Sequence, residues 1–288
     1  MSKSIPTAYK EVFKMMPSWY LEKPLGDYVA IYMGKAGRKI AAEGAAGGGV
    51  ITSFLCYLLD NGIIDGVVAA RKSKGLEGEI VVARTREDII KSAGSRWQVL
   101  PFTLKLKETI ENESLRSMAI VGLPCQINFL RQMKTFPLLE TDFSNKISML
   151  ISLFCFGTFA QESILSYVRE KYGIEPSSIE EIKISQKALK FIGNKEVEIK
   201  FDEITKYTQV GCLLCPDYTG VASDISAGTI EDKTFIIVRN NEANEMLKDA
   251  NKKGYIEIEN VNETEIERVE RKATEKIKRA SRYIAQLL

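Results

Sequence analysis

The chain has 288 residues, 40 lysines and arginines against 38 aspartates and glutamates, five cysteines and no histidine. Near-balanced charge gives no ground for a bulk role on nucleic acid or a membrane surface, no run of about 18 apolar residues offers a membrane span, and the length suits one large or two small globular domains. Without histidine, Ser-His-Asp and Cys-His catalysis within the chain are excluded, a soft-metal site must be all sulfur or sulfur with oxygen, and acid–base work falls to Asp, Glu, Lys, Tyr or a bound cofactor.

Residues 1–36 carry aromatics (Tyr9, Phe13, Trp19, Tyr20, Tyr28, Tyr32) among scattered prolines and glycines, and read as a short helix and wrapping N-terminal arm, or a loose terminus. The start, Met1-Ser-Lys-Ser-Ile-Pro, lacks the apolar core of a signal peptide, so a cytoplasmic location is expected. There cysteines are more often ligands or reactive groups than disulfides. Gly47-Gly48-Gly49 runs into an apolar helix over 50–60, stopped by Asn61-Gly62. Strands are predicted over 65–71 and 79–84, a short helix over 86–91 ending at Gly94, and an amphipathic helix over 101–112. A strand over 117–122 meets Pro124-Cys125, followed by helix over 126–134; an apolar strand over 147–154 leads to Cys155, and 161–172 is helical. Residues 181–185, 189–192 and 197–201 read as short antiparallel strands, the last two joined at Gly193-Asn194. Residues 227–239 return to strand, 242–253 form an amphipathic helix closed by Gly254, and 263–288 a charged helix whose mixed signs suit a solvated or partner-facing role.

This β-α alternation argues an α/β fold: a mainly parallel sheet core flanked by helices, with a small antiparallel β insertion and a C-terminal helix. The expected units are an arm (1–36), a core (37–178 with 203–262), the insertion (179–202) and the last helix (263–288).

Four cysteines sit where a ligand can project. Cys125 follows a strand and opens a helix, Cys155 ends a strand before Gly157, and Cys212-x-x-Cys215 is read as a loop knuckle. Cys56, mid-helix among leucines, reads as packing. A structural zinc, a redox dithiol that leaves Cys125 and Cys155 unused, a [4Fe-4S] cluster, and plain burial of Cys125 and Cys155 all stay open on spacing alone.

The small-residue loop Gly44 to Ser53 opens a helix, and free amides there suit an anion such as a pyrophosphate; a plain flexible loop is the simpler reading. It has no Walker ending, and no clear strand precedes it as a Rossmann fingerprint requires. A second turn, Gly94-Ser95-Arg96-Trp97, suits a planar ring and a phosphate, or else a helix cap before a core tryptophan.

Taken in order, the glycine-rich helix start, Gly-Ile-Ile-Asp-Gly-Val-Val-Ala, Ala-Gly-Ser-Arg-Trp, Gly-Leu-Pro-Cys-Gln, Phe-Cys-Phe-Gly-Thr-Phe and Gly-Cys-Leu-Leu-Cys-Pro-Asp-Tyr with Ala-Ser-Asp-Ile-Ser-Ala-Gly resemble the beta subunit of coenzyme F420-reducing hydrogenase. Its relatives include formate dehydrogenase beta subunits, the F420H2 dehydrogenase input subunit and a plant chlorophyll-intermediate reductase. The likeness runs from about Gly37 to Gly254. It implies an oxidoreductase, a flavoprotein and iron–sulfur protein that binds FAD and a metal-binding [4Fe-4S] site, with coenzyme F420 as substrate and a redox partner subunit in a hetero-oligomer. Carried over, the cluster ligands are Cys125, Cys155, Cys212 and Cys215. Gly47, Gly48, Gly49, Thr52, Gly94, Ser95, Arg96 and Trp97 would line FAD; Asp217, Tyr218 and Asp224 would buttress the cluster loop or touch flavin. Chemistry is flavin-borne, with no catalytic side chain assigned. Trp97 stands where relatives often have tyrosine. Lys187 and Lys190 replace a glycine-rich basic turn, and would hold an acidic coenzyme tail or form a solvated face. No ferredoxin-like cysteines precede Cys56, so onward electron transfer needs a partner. Alternatives are a flavin/iron–sulfur reductase of another small substrate and a non-catalytic four-cysteine zinc scaffold.

Overall fold

The structure is a computed structural model that describes residues 22–40, 47–73, 78–94, 100, 106–112, 114–135, 142–184 and 188–287. After β1 (Ala30–Ala36) and a glycine turn (Gly47–Gly49), α1 (Val50–Asp60) is apolar on nearly every side. Val50, Phe54, Cys56 and Leu58 are wholly buried, each large apolar side chain worth roughly 1.5–3 kcal/mol. Asn61 and Gly62 end the helix by donating their amides to Tyr57 O and Leu59 O. β2 (Gly66–Lys72) and β3 (Gly78–Ala83) form an antiparallel pair. α2 (Arg86–Lys91) is capped by Thr85, whose side chain accepts the Asp88 amide at 3.2 Å. Then come α3 (Leu106–Asn112), β4 (Met118–Gly122), α4 (Pro124–Thr135), β5 (Ile147–Leu153) and α5 (Gln161–Tyr172).

The main sheet has eight strands. Its remaining members are β9 (Ile225–Ile230), β10 (Lys233–Val238) and, after α8 (Asn241–Lys252), β11 (Ile256–Asn260), in the order β11-β1-β10-β9-β5-β4-β2-β3. The four central strands β9, β5, β4 and β2 run parallel; the outer pairings are antiparallel. With β1, five of the eight strands point one way, so the sheet is mainly parallel. Alternate residues of β2, β4 and β5 face two separate cores: Val67, Ala119 and Ile151 meet α1 and α8, whereas Val68, Ile120 and Leu150 meet α3 and α4.

Between β5 and β9 lies the antiparallel insertion: β6 (Ile179–Ile184), β7 (Ala188–Gly193) and β8 (Glu196–Lys200). It owns a core in which Leu189, Phe191 and Ile199 pack on Ile164 and Val168 of α5. That helix, expected in the main core, belongs to the insertion's cluster because its apolar stripe faces the small sheet. Short helices α6 (Phe201–Ile204) and α7 (Val210–Leu214) lead back, and α9 (Glu263–Leu287) ends the chain.

Three further sequence expectations are corrected. Residues 30–36 are not an arm but β1, paired with both β10 and β11. The CxxC is not a plain loop: Cys212 lies in α7 and Cys215 caps it. The last helix is not solvated, since Val269, Ala273, Ile277 and Ala280 are buried and Val269 and Ala273 pack with Phe235 and Ile237 under the sheet.

Candidate redox site at the cysteines

Cys125 and Cys155 leave the carboxyl ends of neighbouring parallel strands, β4 and β5, where α/β sheets assemble their sites. Pro124, tolerated at the first helical position, opens α4, and Gln126 takes the Leu123 amide on its side-chain oxygen at 2.8 Å. Cys125 is therefore in the first turn of a helix, at its positive end.

The segment after Cys155 is zipped to the segment before Cys212. Ala160 N donates to Tyr207 O at 2.8 Å, Gln209 N to Thr158 O at 2.9 Å, and Phe159 bridges Thr208. Thr158 then meets Cys212 twice: its amide donates to Sγ at 3.4 Å and its hydroxyl lies 3.3 Å from the same sulfur. On the other side, Cys155 N donates to Tyr218 O at 2.9 Å, attaching Cys155 to the loop that follows Cys215. Asp217 shapes that loop by accepting the Gly220 amide at 2.7 Å and the Val221 amide at 3.2 Å. The loop also passes close to β5 and α4: a Cβ on Gly220 would sit 2.0 Å from Ser152 Oγ and 3.8 Å from Pro124 Cα.

Two cations of α9 close the arrangement. Lys276, 2% exposed, donates from Nζ to Cys155 O and Asp217 O, both at 2.6 Å. Arg279 donates from Nη2 to Phe156 O and, at 3.0 Å, to Cys212 O, with its guanidinium 4.5 Å from the Phe156 ring centroid. Neither makes an ion pair with a described carboxylate. No periodicity of the cysteines pointed to these two residues.

The four thiols act on one another electrostatically. Burial pushes the Cys155 thiol up to about 11; Lys276 and the Gly157 amide pull it back, while Cys212 and Cys125 push it further. Burial also raises Cys125, reinforced by Cys215 and Cys212 and opposed by the Gln126 amide and Lys276. Cys212 and Cys215 in turn act on Arg279. Yet among the described residues no group of three or more Cys, Asp or Glu is spaced to hold a metal ion as it stands. The thiols share a neighbourhood and not a closed coordination shell. Cys56 lies apart, wholly buried in α1.

The glycine turn is at the same end of the sheet. A Cβ on Gly47 would come within 2.4 Å of Thr229 Oγ1 on β9, while Gly228 beside it meets the ring of Phe154, the neighbour of Cys155. Gly47, Gly48 and Gly49 all have positive φ (56°, 75° and 75°), and Thr234 Oγ1 donates to Gly47 O. A strand, β1, does precede this turn, contrary to expectation; it went unseen because Gly34 breaks its apolar run. Among the described residues no side chain caps the start of α1, whose N-cap is Gly49. Thr52 is buried in its first turn, and Gly94 (φ 95°) follows α2. Ser95, Arg96, Trp97 and Lys187 lie outside the described residues.

Tyr218 packs on Phe154 and Phe156 at ring centroid distances of 5.3 and 6.2 Å. Asp224 spends its carboxylate on Arg131 Nη2 at 2.6 Å, Asn240 Nδ2 at 2.9 Å and Leu150 N at 2.8 Å. It lines an open cleft of about 700 Å³ with Arg131, Arg239 and Asn240, which the cysteines do not line. Lys190 pairs with Glu196 at 2.5 Å on the insertion.

Two family matches cover most of the chain. Residues 31–107 match the N-terminal part of the coenzyme F420 hydrogenase/dehydrogenase beta subunit, and residues 115–264 match the C terminus of that same beta subunit. The chain is 33% identical over 262 residues to an uncharacterised protein of Methanocaldococcus jannaschii, covering 86% of this chain and 70% of that protein. It is 27% identical over 268 residues to the coenzyme F420 hydrogenase subunit beta of Methanothermobacter thermautotrophicus, covering 91% and 95%. A chain of the F420-reducing [NiFe] hydrogenase complex from Methanosarcina barkeri shares the fold with a TM-score of 0.84 at 26% identity, over 92% of this chain and 94% of that one.

Proposed function

Since the chain belongs to the coenzyme F420 hydrogenase/dehydrogenase beta-subunit family, we propose that it passes electrons between coenzyme F420 and a partner redox protein through FAD and a [4Fe-4S] cluster. At the coarser level it is an electron-transfer oxidoreductase subunit of a multi-subunit assembly, as its relatives are. Among the described residues no helix is long and apolar enough to cross a membrane.

The observation that carries the cluster reading is the gathering of Cys125, Cys155, Cys212 and Cys215 under Lys276 and Arg279. Two cations that pair with no described carboxylate, facing four thiols, are balanced when the thiols ionise, which is the state that binds metal. Amides of Thr158, Gln126 and Gly157 point at Cys212, Cys125 and Cys155 and suit sulfur that carries charge. The donor set fits iron–sulfur ligation: all thiolate, from irregular segments, beside Phe154, Phe156 and Tyr218.

For FAD, the glycine turn offers an uncapped helix start with no Cβ in the way, a suitable cradle for a pyrophosphate. Thr52 and Gly94, with the turn over 95–97, complete the proposed wall. Asp217 and Asp224 act as buttresses, since amides, Arg131 and Asn240 occupy their oxygens. Flavin supplies the exchange between a hydride carrier and a one-electron cluster; the chain's residues hold the rings and sulfurs in place. Lys187 and Lys190 are proposed for the acidic tail of F420, for which Lys190 would have to leave Glu196.

The test is addition of reduced F420 to anaerobically purified protein. Bleaching of flavin absorption supports the reading. A flavin that stays oxidised under excess reduced F420 while dithionite bleaches it contradicts F420 as the hydride partner.

A further inference from the structure

Resting on that reading of the cysteine site, we propose that Lys276 and Arg279 are its positioning residues: α9 supplies two fixed positive charges that clamp the Cys155 segment to the Cys212–Asp217 segment and raise the reduction potential of the cluster they hold. The clamp is visible in the hydrogen bonds. Lys276 joins the carbonyls of Cys155 and Asp217, and Arg279, one turn on, joins those of Phe156 and Cys212. Two side chains thereby tie the loop after β5, the helix α7 and the loop after Cys215 to one another. Carbonyls alone leave the charges unbalanced. Arg279 also keeps a buried Nε with no partner among the described residues. Both cations feel Cys155, and Arg279 feels Cys212 and Cys215.

Lys276 is buried and Arg279 half-buried with its Nε enclosed; holding such cations with no described ion pair is costly, so their retention needs a compensating anion in the same neighbourhood. Asp217, a carboxylate that Lys276 acts on, is also shared with Arg239 and bound by two amides. Four thiolates around a cluster supply the remaining charge. Reduction adds one electron and thus one further negative charge, which nearby cations stabilise. Both residues lie beyond residue 264, where the family match ends.

The experiment is a dye-mediated redox titration of the full chain, purified without oxygen, following iron–sulfur absorption and the paramagnetic signal of the reduced cluster. Variants are Lys276→Met, Arg279→Gln and Arg279→Lys, each assayed for iron. With iron retained, Lys276→Met and Arg279→Gln should each lower the equilibrium constant for one-electron reduction roughly tenfold, about 59 mV. Arg279→Lys, which keeps the charge, should stay near wild type. If Lys276→Met sheds its iron, the contrast between Arg279→Gln and Arg279→Lys decides. Equal potentials in Arg279→Gln, Arg279→Lys and wild type overturn the inference alone. Iron loss from Arg279→Lys and Arg279→Gln alike reduces the residue to a structural tie and also overturns it. A wild-type chain that takes up no iron on reconstitution overturns the cluster reading, and this inference with it.

Discussion

Lys276 occupies a position that a packed helix would give to an apolar residue. Val269, Ala273, Ile277 and Ala280 form the buried stripe of α9, and Lys276 stands seven residues after Val269 in that stripe. A lysine inside an apolar stripe was a readable signal, masked by the mixed charges elsewhere on the helix. Small neighbours, Ala273 and Ala280, let the backbone approach closely enough for Nζ and the guanidinium to reach carbonyls. The cysteines themselves were legible from their Gly and Pro neighbours and the CxxC; the cations that face them were not. Cys56 gives the residue-scale prediction. Burial pushes its thiol from an ordinary 9.0 up to about 12. Because the folded state holds this proton more tightly, its contribution to stability is complete below about pH 9 and declines as pH climbs toward 12. Denaturant unfolding at pH 10.5 should show about 1–2 kcal/mol less stability than at pH 8 from this group. In Cys56→Ala that part of the alkaline loss should vanish, although the variant is less stable at pH 8. An identical alkaline slope in both proteins contradicts the assignment.

The glycine turn before α1 shows what an element requires of its residues. Gly47 combines a positive φ with Thr229 at van der Waals overlap for any Cβ, so Gly47→Ala must strain the backbone and push β9. A loss of about 1–3 kcal/mol is expected, with reduced FAD content after purification, measured by thermal unfolding and flavin release. A variant with full stability and full flavin would show that the turn is neither tight nor part of the cradle. Elements with strong periodicity were legible: α1, α2, α5 and α8 begin and end within a residue or two of expectation. β1 and β11 were not. β1 is interrupted by Gly34, and β11 is short with only Ile256 fully buried. Their place is set by antiparallel pairing across more than 200 residues of chain, which local pattern does not encode.

At the scale of the molecule, the fold class followed from β-α alternation, while the mixed outer half of the sheet, built by β9, β10, β1 and β11, came only with pairing. That half is what brings α9 under the sheet and its cations to the carboxyl ends of β4 and β5. The account therefore depends on one convergence: sulfurs from separate segments and charges from the last helix meet at a single inorganic centre. Iron and acid-labile sulfide counted per chain after anaerobic purification test it most directly. The account predicts about four of each with broad visible absorption, lost in Cys215→Ser and kept in Cys56→Ser. A colourless protein carrying one zinc per chain, or iron that persists in Cys215→Ser and departs in Cys56→Ser, would contradict it.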